Sequence, residues 1–117
     1  MKVLKKLRDG YVIRHANNIK IPQFPLDNRI RKRIVFSGRV QKVGFRLELF
    51  CIAERLKLIG WVKNLEDGSV EAELQGEESK IQFLVDCMQS LKRASVKQLK
   101  IIDVPITEDE ESFKIVR

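Results

Sequence analysis

The residues with the most chemical promise in this 117-residue chain form one run, Gly38-Arg39-Val40-Gln41-Lys42-Val43-Gly44-Phe45-Arg46. Its two glycines bracket a tight loop, and its last residues open a helical pattern. The start of a helix leaves backbone N–H groups unpaired, and its dipole favours anions. A loop curled at that point presents several N–H donors to one phosphate-sized ligand. Arg46 falls in or near the first helical turn, so its guanidinium can fold back onto the same ligand with a planar fork suited to phosphate oxygens. The run is not a Walker A loop. Five residues separate Gly38 from Gly44, Lys42 sits inside the loop, and no Lys-Ser/Thr pair follows Gly44. A Gly-x-Gly-x-x-Gly fingerprint is also missing.

Such a loop needs a strand before it and a helix after it. Arg33-Ile34-Val35-Phe36-Ser37 is β-branched and aromatic, as a strand requires, and Phe45, Leu49, Ile52, Ala53 and Leu56 recur at helical spacing from Phe45 to about Leu58. Ile59-Gly60-Trp61-Val62-Lys63-Asn64 is a second strand. Leu65-Glu66-Asp67-Gly68 is a hairpin turn, and Val70, Ala72 and Leu74 alternate with polar residues in a third strand that ends at Gly76. Glu77 and Glu78 sit in the first turn of a helix with the apolar stripe Ile81, Leu84, Val85, Met88 and Leu91. Val96 to Val104 is a fourth strand, with Leu99, Ile101 and Ile102 as core candidates, and Phe113-Lys114-Ile115-Val116 is a short last one. The order β-α-β-β-α-β plus a terminal strand is an α+β, ferredoxin-like two-layer sandwich, an antiparallel sheet with both helices on one face.

Composition excludes several classes. The two cysteines, Cys51 and Cys87, and the one histidine, His15, leave a zinc site almost without ligands. Both cysteines read as free thiols of a reducing compartment. There is no apolar run of about 18 residues and no signal-peptide core, so the cytoplasm is the default and no membrane association is expected. The net charge of +7 invites a nucleic-acid reading, but its distribution weakens it. Residues 1–31 hold 8 basic and 2 acidic side chains (+6), and the other 86 residues hold 15 and 14 (+1). The basic character therefore belongs to residues 1–30, an N-terminal extension ahead of a domain at 31–117. In it, Val3, Leu4, Leu7 and Tyr11 line one side of a short helix that Gly10 interrupts, and Tyr11-Val12-Ile13 equally fits a strand. Pro22 and Pro25 mark an extended linker from which Phe24 and Leu26 dock on the body, and His15 is an exposed linker residue with no partner. The extension is open to packing on the body, covering the site or self-association.

The loop, together with Gly60-Trp61-Val62-Lys63-Asn64, resembles the two signatures of the acylphosphatase family. Glu71-Ala72-Glu73-Leu74-Gln75-Gly76, Ala94-Ser95-Val96 and Phe113-Lys114-Ile115 are similar too, so the resemblance covers roughly residues 32–117. It implies the ferredoxin-like fold and hydrolysis of a carboxyl-phosphate anhydride to carboxylate and inorganic phosphate, with no metal or other cofactor. The acyl phosphate is then the partner and phosphate the product or inhibitor. Arg46 matches the family's phosphate-binding arginine, Asn64 its water-orienting asparagine, and the N–H groups from about Gln41 to Arg46 its phosphate cradle, within the loop Gly38, Arg39, Val40, Gln41, Lys42, Val43, Gly44 and Phe45. One departure stands out, because the family usually has glycine where this chain has Lys42. If that position is left-handed, lysine costs roughly 1–2 kcal/mol there.

Each of these residues also has a plainer reading. Arg46 alone would be a solvated helix arginine, Asn64 alone a strand-end turn residue. A ferredoxin-like RNA binder would stack bases on exposed aromatics, but the third strand, Ser69-Val70-Glu71-Ala72-Glu73-Leu74, carries acids and no aromatics. The basic extension is left as the one route to nucleic acid or an acidic surface. The same fold also leads a large hydrogenase-maturation protein, whose zinc-finger cysteines do not follow here. A stand-alone, monomeric enzyme is the expectation.

Overall fold

A computed structural model describes the backbone from Lys2 and the side chains from Lys5 through Arg117. The chain runs α1 (Lys2–Asn18), β1 (Arg29–Arg39), α2 (Phe45–Arg55), β2 (Ile59–Asn64), β3 (Val70–Glu77), α3 (Glu78–Gln89), β4 (Ser95–Val104) and β5 (Phe113–Val116). The strands form one sheet in the order β4-β1-β3-β2-β5. The four strands β1 to β4 pair antiparallel, the ferredoxin-like order, whereas β5 joins β2 in parallel. The ferredoxin-like sheet is as expected, and the extra terminal strand adds one parallel pairing at its edge. A connection from β4 carries the chain across the sheet, so β5 enters beside β2 pointing the same way.

Alternation decides which residues face the helices. Ile34 pairs with Ala72 and Phe36 with Val70, and all four are fully buried with Leu74 and Val62 under α2 and α3. Phe36 meets Phe45 edge-on, with ring centroids 5.1 Å apart, so the end of β1 and the start of α2 are fixed to each other by packing. The expectation that Ile101 and Ile102 are core fails. They are 39% and 46% exposed, because β4 is an edge strand and successive residues point to opposite faces. α2 ends at Arg55, before the expected Leu58, and Lys57 turns the chain with φ 58°.

The opposite face of the sheet carries a cross-strand ionic cluster. Arg31 Nε donates to Glu73 Oε1 (2.6 Å) and Arg33 Nε to Oε2 (2.8 Å), while Arg31 Nη1 reaches Gln75 Oε1 (3.0 Å). Burial alone would push the Glu73 carboxyl up, but the two guanidinium hydrogen bonds outweigh it and hold it below the ordinary value. A carboxylate depressed in the folded state stabilises above its unfolded pKa of about 4.3 and loses that contribution as pH falls through the folded value. Acid unfolding of wild type is therefore expected to steepen below about pH 4.3, and Glu73→Gln is expected to flatten that limb when denaturation midpoints are compared across pH. Equal slopes would show that Glu73 carries no such linkage.

The largest departure from expectation lies before β1. Residues 2–18 form one continuous helix that runs through Gly10. Leu7 and Tyr11 are exposed, against the expected apolar side, and Val3 and Leu4 lie outside the residues whose side chains are described. Among the described residues its buried positions are Val12 and Ala16, one turn apart, which set α1 against α2. Gly10 costs roughly 1 kcal/mol in a helix interior, which burying Val12 at about 1.5–3 kcal/mol offsets. Arg55 Nη1 donates to the carbonyls of Ala16 and Ile19, both at 2.7 Å, satisfying acceptors that a helix end leaves open. The linker then runs to α3, where Asp27 Oδ2 accepts from Ser79 N–H (3.1 Å) and Phe24 meets Phe83 edge-on at 5.6 Å. Phe24 docks as expected, but Leu26 is 100% exposed and does not.

Candidate active site

The strand-to-helix corner between β1 and α2 opens onto a cavity of about 340 Å³. Val40, Gln41, Lys42, Gly44 and Phe45 of the loop line it together with Arg46, Asn64, Ile115 and Arg117. Arg46 and Asn64 are thus brought to one site from α2 and the end of β2. Gly38 and Arg39 are not in its wall, since they still pair with Val96 and Ser95 of β4 across a register shift. Val43 is also outside the wall and supports the loop from behind through its carbonyl.

Local conformation explains why the loop curls here. Gly44, the N-cap of α2, is left-handed (φ 75°, ψ 19°), and a Cβ there would sit 2.6 Å from a Val12 methyl of α1. Lys42 is left-handed as well (φ 64°), so the strain anticipated for a lysine at this position is present. Lys42→Gly is expected to raise unfolding free energy by about 0.5–1 kcal/mol, the left-handed penalty less the extra entropy of glycine. It is expected at the same time to weaken competitive inhibition by phosphate about two- to fivefold, through loss of an ammonium at the cavity wall. Chemical denaturation and inhibition constants measured on the pair check both, and unchanged stability would refute the strain.

Main-chain accounting points at the cavity. Among the described residues, the N–H groups of Gln41, Lys42, Val43 and Gly44 donate no hydrogen bond to protein. Those of Phe45 and Arg46 open α2 and have no acceptor within its first turn. The carbonyls are held instead. Arg93 Nε donates to Val43 O (2.7 Å) and Arg8 Nη1 more loosely to Lys42 O (3.4 Å). Across a trans peptide the following N–H points opposite to the carbonyl, so these two guanidiniums turn the Gly44 and Val43 amides away from themselves. Gln41 Nε2 ties the loop to the β2–β3 turn through the carbonyls of Leu65 (2.8 Å) and Ser69 (2.9 Å), next to Asn64.

Arg93 rests in turn on a fully buried carboxylate. Glu48 takes Arg93 Nη2 on one oxygen, and His15 Nδ1 lies 2.7 Å from the other. Tyr11 stacks on His15 and lies beneath the Arg93 guanidinium, 5.7 Å from ring centroid to Cζ. The reading of His15 as an exposed linker residue without a partner is corrected. It belongs to α1 and is half-buried by a glutamate 33 positions away. Arg93, Glu48, Lys5 and Arg8 were all missed from sequence. An acid at Glu48, between the apolar positions Phe45, Leu49 and Ile52 of the α2 stripe, was the one available signal.

Arg46 and the Asn64 carboxamide oxygen are among the polar groups of the wall that have no partner within the described residues. Arg46 makes no ion pair or hydrogen bond among the described residues, and its proton affinity is lowered by burial first and then by Arg117 and Arg8. The Asn64 Oδ1 is buried without a donor, a state that costs roughly 1–3 kcal/mol. Both deficits are relieved by an anion with an attendant O–H donor. The cysteines lie outside this wall, and burial pushes both thiols up, so neither is an activated nucleophile. Among the described residues no three His, Cys, Asp or Glu side chains converge, and no helix is long and apolar enough to cross a membrane.

The acylphosphatase family profile matches residues 32–115. An acylphosphatase of Geobacillus thermodenitrificans is 39% identical over 87 residues, which cover 74% of this chain and 93% of that protein. One of Bifidobacterium longum is 43% identical over 83 residues, 70% of this chain and 86% of the relative. The crystal structure of acylphosphatase from Bacillus subtilis superposes with a TM-score of 0.70 at 35% identity, covering 75% of this chain and 99% of that one. α1 lies ahead of the matched region.

Proposed function

The chain belongs to the acylphosphatase family, and we propose that its cavity holds the phosphoryl group of an acyl phosphate while Asn64 aims a water at the phosphorus. The enzyme hydrolyses acyl phosphates. The loop amides from Gln41 to Arg46 and the Arg46 guanidinium take the phosphoryl oxygens. The Asn64 carboxamide accepts from the attacking water. The water oxygen bonds to phosphorus as the bond from phosphorus to the acyl oxygen breaks, and that electron pair leaves on the carboxylate. A neutral carboxamide is a poor base, so the water proton passes to a phosphoryl oxygen of the substrate. Carboxylate is a good leaving group, and positioning with charge stabilisation suffices.

The observation that carries this reading is the meeting, on one wall, of Gln41, Lys42 and Gly44, whose amides donate to no described protein group, with an arginine without a counter-ion and a carboxamide oxygen without a donor. One carboxylate, Asp9, faces the same space. The donor set suits an anion rather than a divalent cation, which is the basis for proposing that the reaction proceeds without metal. Hydrolysis of benzoyl phosphate in ¹⁸O-water with a chelator present tests both points. Label is expected in inorganic phosphate. Label in benzoate, or activity abolished by chelation, would refute attack at phosphorus or independence of metal. The half-buried free thiols favour a reducing, cytoplasmic setting. We take residues 31–117 as the catalytic unit, monomeric, with residues 1–30 as an appended segment.

A further inference from the structure

The face of α1 that docks is also the face that reaches the cavity. Lys5, Arg8, Val12 and Ala16 recur at intervals of three and four, so they lie along one side of the helix. Val12 and Ala16 are buried, the Arg55 guanidinium holds the last turn, and His15 is joined to Glu48. With the helix fixed at those points, its preceding turns deliver Lys5 and Arg8 to the cavity wall. Arg8 reaches the Lys42 carbonyl at 3.4 Å, which puts α1 on the Lys42 side of the loop, while Arg46 comes from α2.

Charge shows what this adds. Lys5, Arg8, Lys42, Arg46 and Arg117 place five cationic side chains on the wall against Asp9, a formal +4. A bound phosphoryl group contributes about −2, and half of that charge remains unanswered. Asp9 answers Arg8 only at 3.4 Å, between neighbours in sequence and with both side chains more than a third exposed, so it quenches little. Arg8 is near enough to Arg46 to lower its proton affinity, which is the crowding that a second anion would relieve. The cavity volume reaches the range that encloses a small organic molecule.

We propose that Lys5 and Arg8, presented by the docked α1, form with Lys42 a second anion subsite. The protein then favours acyl phosphates whose acyl part carries its own negatively charged group. This rests on the acyl phosphate reading above. The selectivity belongs to α1, which lies outside the family match at residues 32–115.

Non-hydrolysable phosphonates test the subsite without turnover. Calorimetric titration of the full chain with propylphosphonate, 3-phosphonopropionate and propane-1,3-bisphosphonate compares no second anion, a carboxylate and a phosphonate on similar skeletons. The two probes with an anionic tail are expected to bind about tenfold or more tightly, the value of one good hydrogen bond to a charged group. Lys5→Gln/Arg8→Gln is expected to bring the ratios to within about twofold. Tail probes no tighter than propylphosphonate in wild type, or an advantage kept in the double variant, would overturn the subsite. Lys5→Glu, a change at an exposed position, keeps the test decisive if the double variant loosens α1. It is expected to reverse the preference, and an unchanged preference counts against the proposal. Benzoyl phosphate turnover on the same samples separates the two levels, because an inert enzyme that still discriminates the tails would refute catalysis and leave the subsite standing.

Discussion

Replacing Arg46 by alanine is expected to lower kcat/KM for benzoyl phosphate by about a thousandfold, within the range that loss of an arginine on a transferring phosphoryl group produces elsewhere. The guanidinium sits in the first turn of α2, beside the open amides of the loop, and makes no ion pair or hydrogen bond among the described residues. Its charge is therefore free for the ligand, and partial burial keeps it from being screened as a surface arginine would be. Arg46→Lys restores charge but not the planar fork, and about a tenfold deficit or more is expected to remain. Stability gives the control. Removing a cation crowded by Arg117 and Arg8 relieves repulsion, so the thermal midpoint of Arg46→Ala is expected to hold or rise. Rates within threefold of wild type would remove Arg46 from the mechanism, and a collapsed midpoint would make its role structural.

The loop and Arg46 could be picked out of the sequence for a local reason, whereas Asn64, 18 positions further on, came from the family resemblance. A phosphate cradle needs a glycine-bracketed turn between a strand and a helix, and all of its parts fall within nine consecutive residues. The third strand was legible as well, because Val70, Ala72 and Leu74 alternate with Glu71, Glu73 and Gln75 and are buried in the sheet. What supports the cradle was not. α1 docks through two small side chains, Val12 and Ala16, and among its described residues the apolar Leu7, Tyr11 and Ile13 are exposed. Its buried stripe is too narrow to register as periodicity, and Gly10 read as the interruption of a short helix rather than the interior of a long one. The Glu48 carboxylate draws its partners from 33 positions upstream and 45 downstream, so no window of sequence contains the arrangement. The exposure of Ile101 and Ile102 likewise follows from the place of β4 at the edge of the sheet, a property of the order of strands rather than of β4 itself.

Asn64→Ala is expected to reduce kcat by about a hundred- to a thousandfold while KM changes less than about threefold, since a group that orients water acts in the transition state and holds little of the ground-state substrate. The residue closes β2 opposite Val70, and Gln41 locks the loop to the adjoining turn, so its carboxamide is placed by the backbone before any ligand arrives. Its buried oxygen without a donor is a local cost, and truncation removes it. The alanine variant is expected to be no less stable than wild type, which separates lost chemistry from a damaged fold. Asn64→Asp keeps the shape but sets a carboxylate beside the phosphoryl oxygens. It is expected to lose phosphate inhibition along with turnover, a combination alanine does not show. If water is held between Asn64 and a phosphoryl group that Arg46 has fixed, the two residues act as a unit. The double variant Arg46→Ala/Asn64→Ala is then expected to be little slower than the worse single variant, with a coupling of at least about 1 kcal/mol in kcat/KM. Additive losses would mean that the carboxamide and the guanidinium serve different steps, and water positioning would have to be assigned to another group in the cavity.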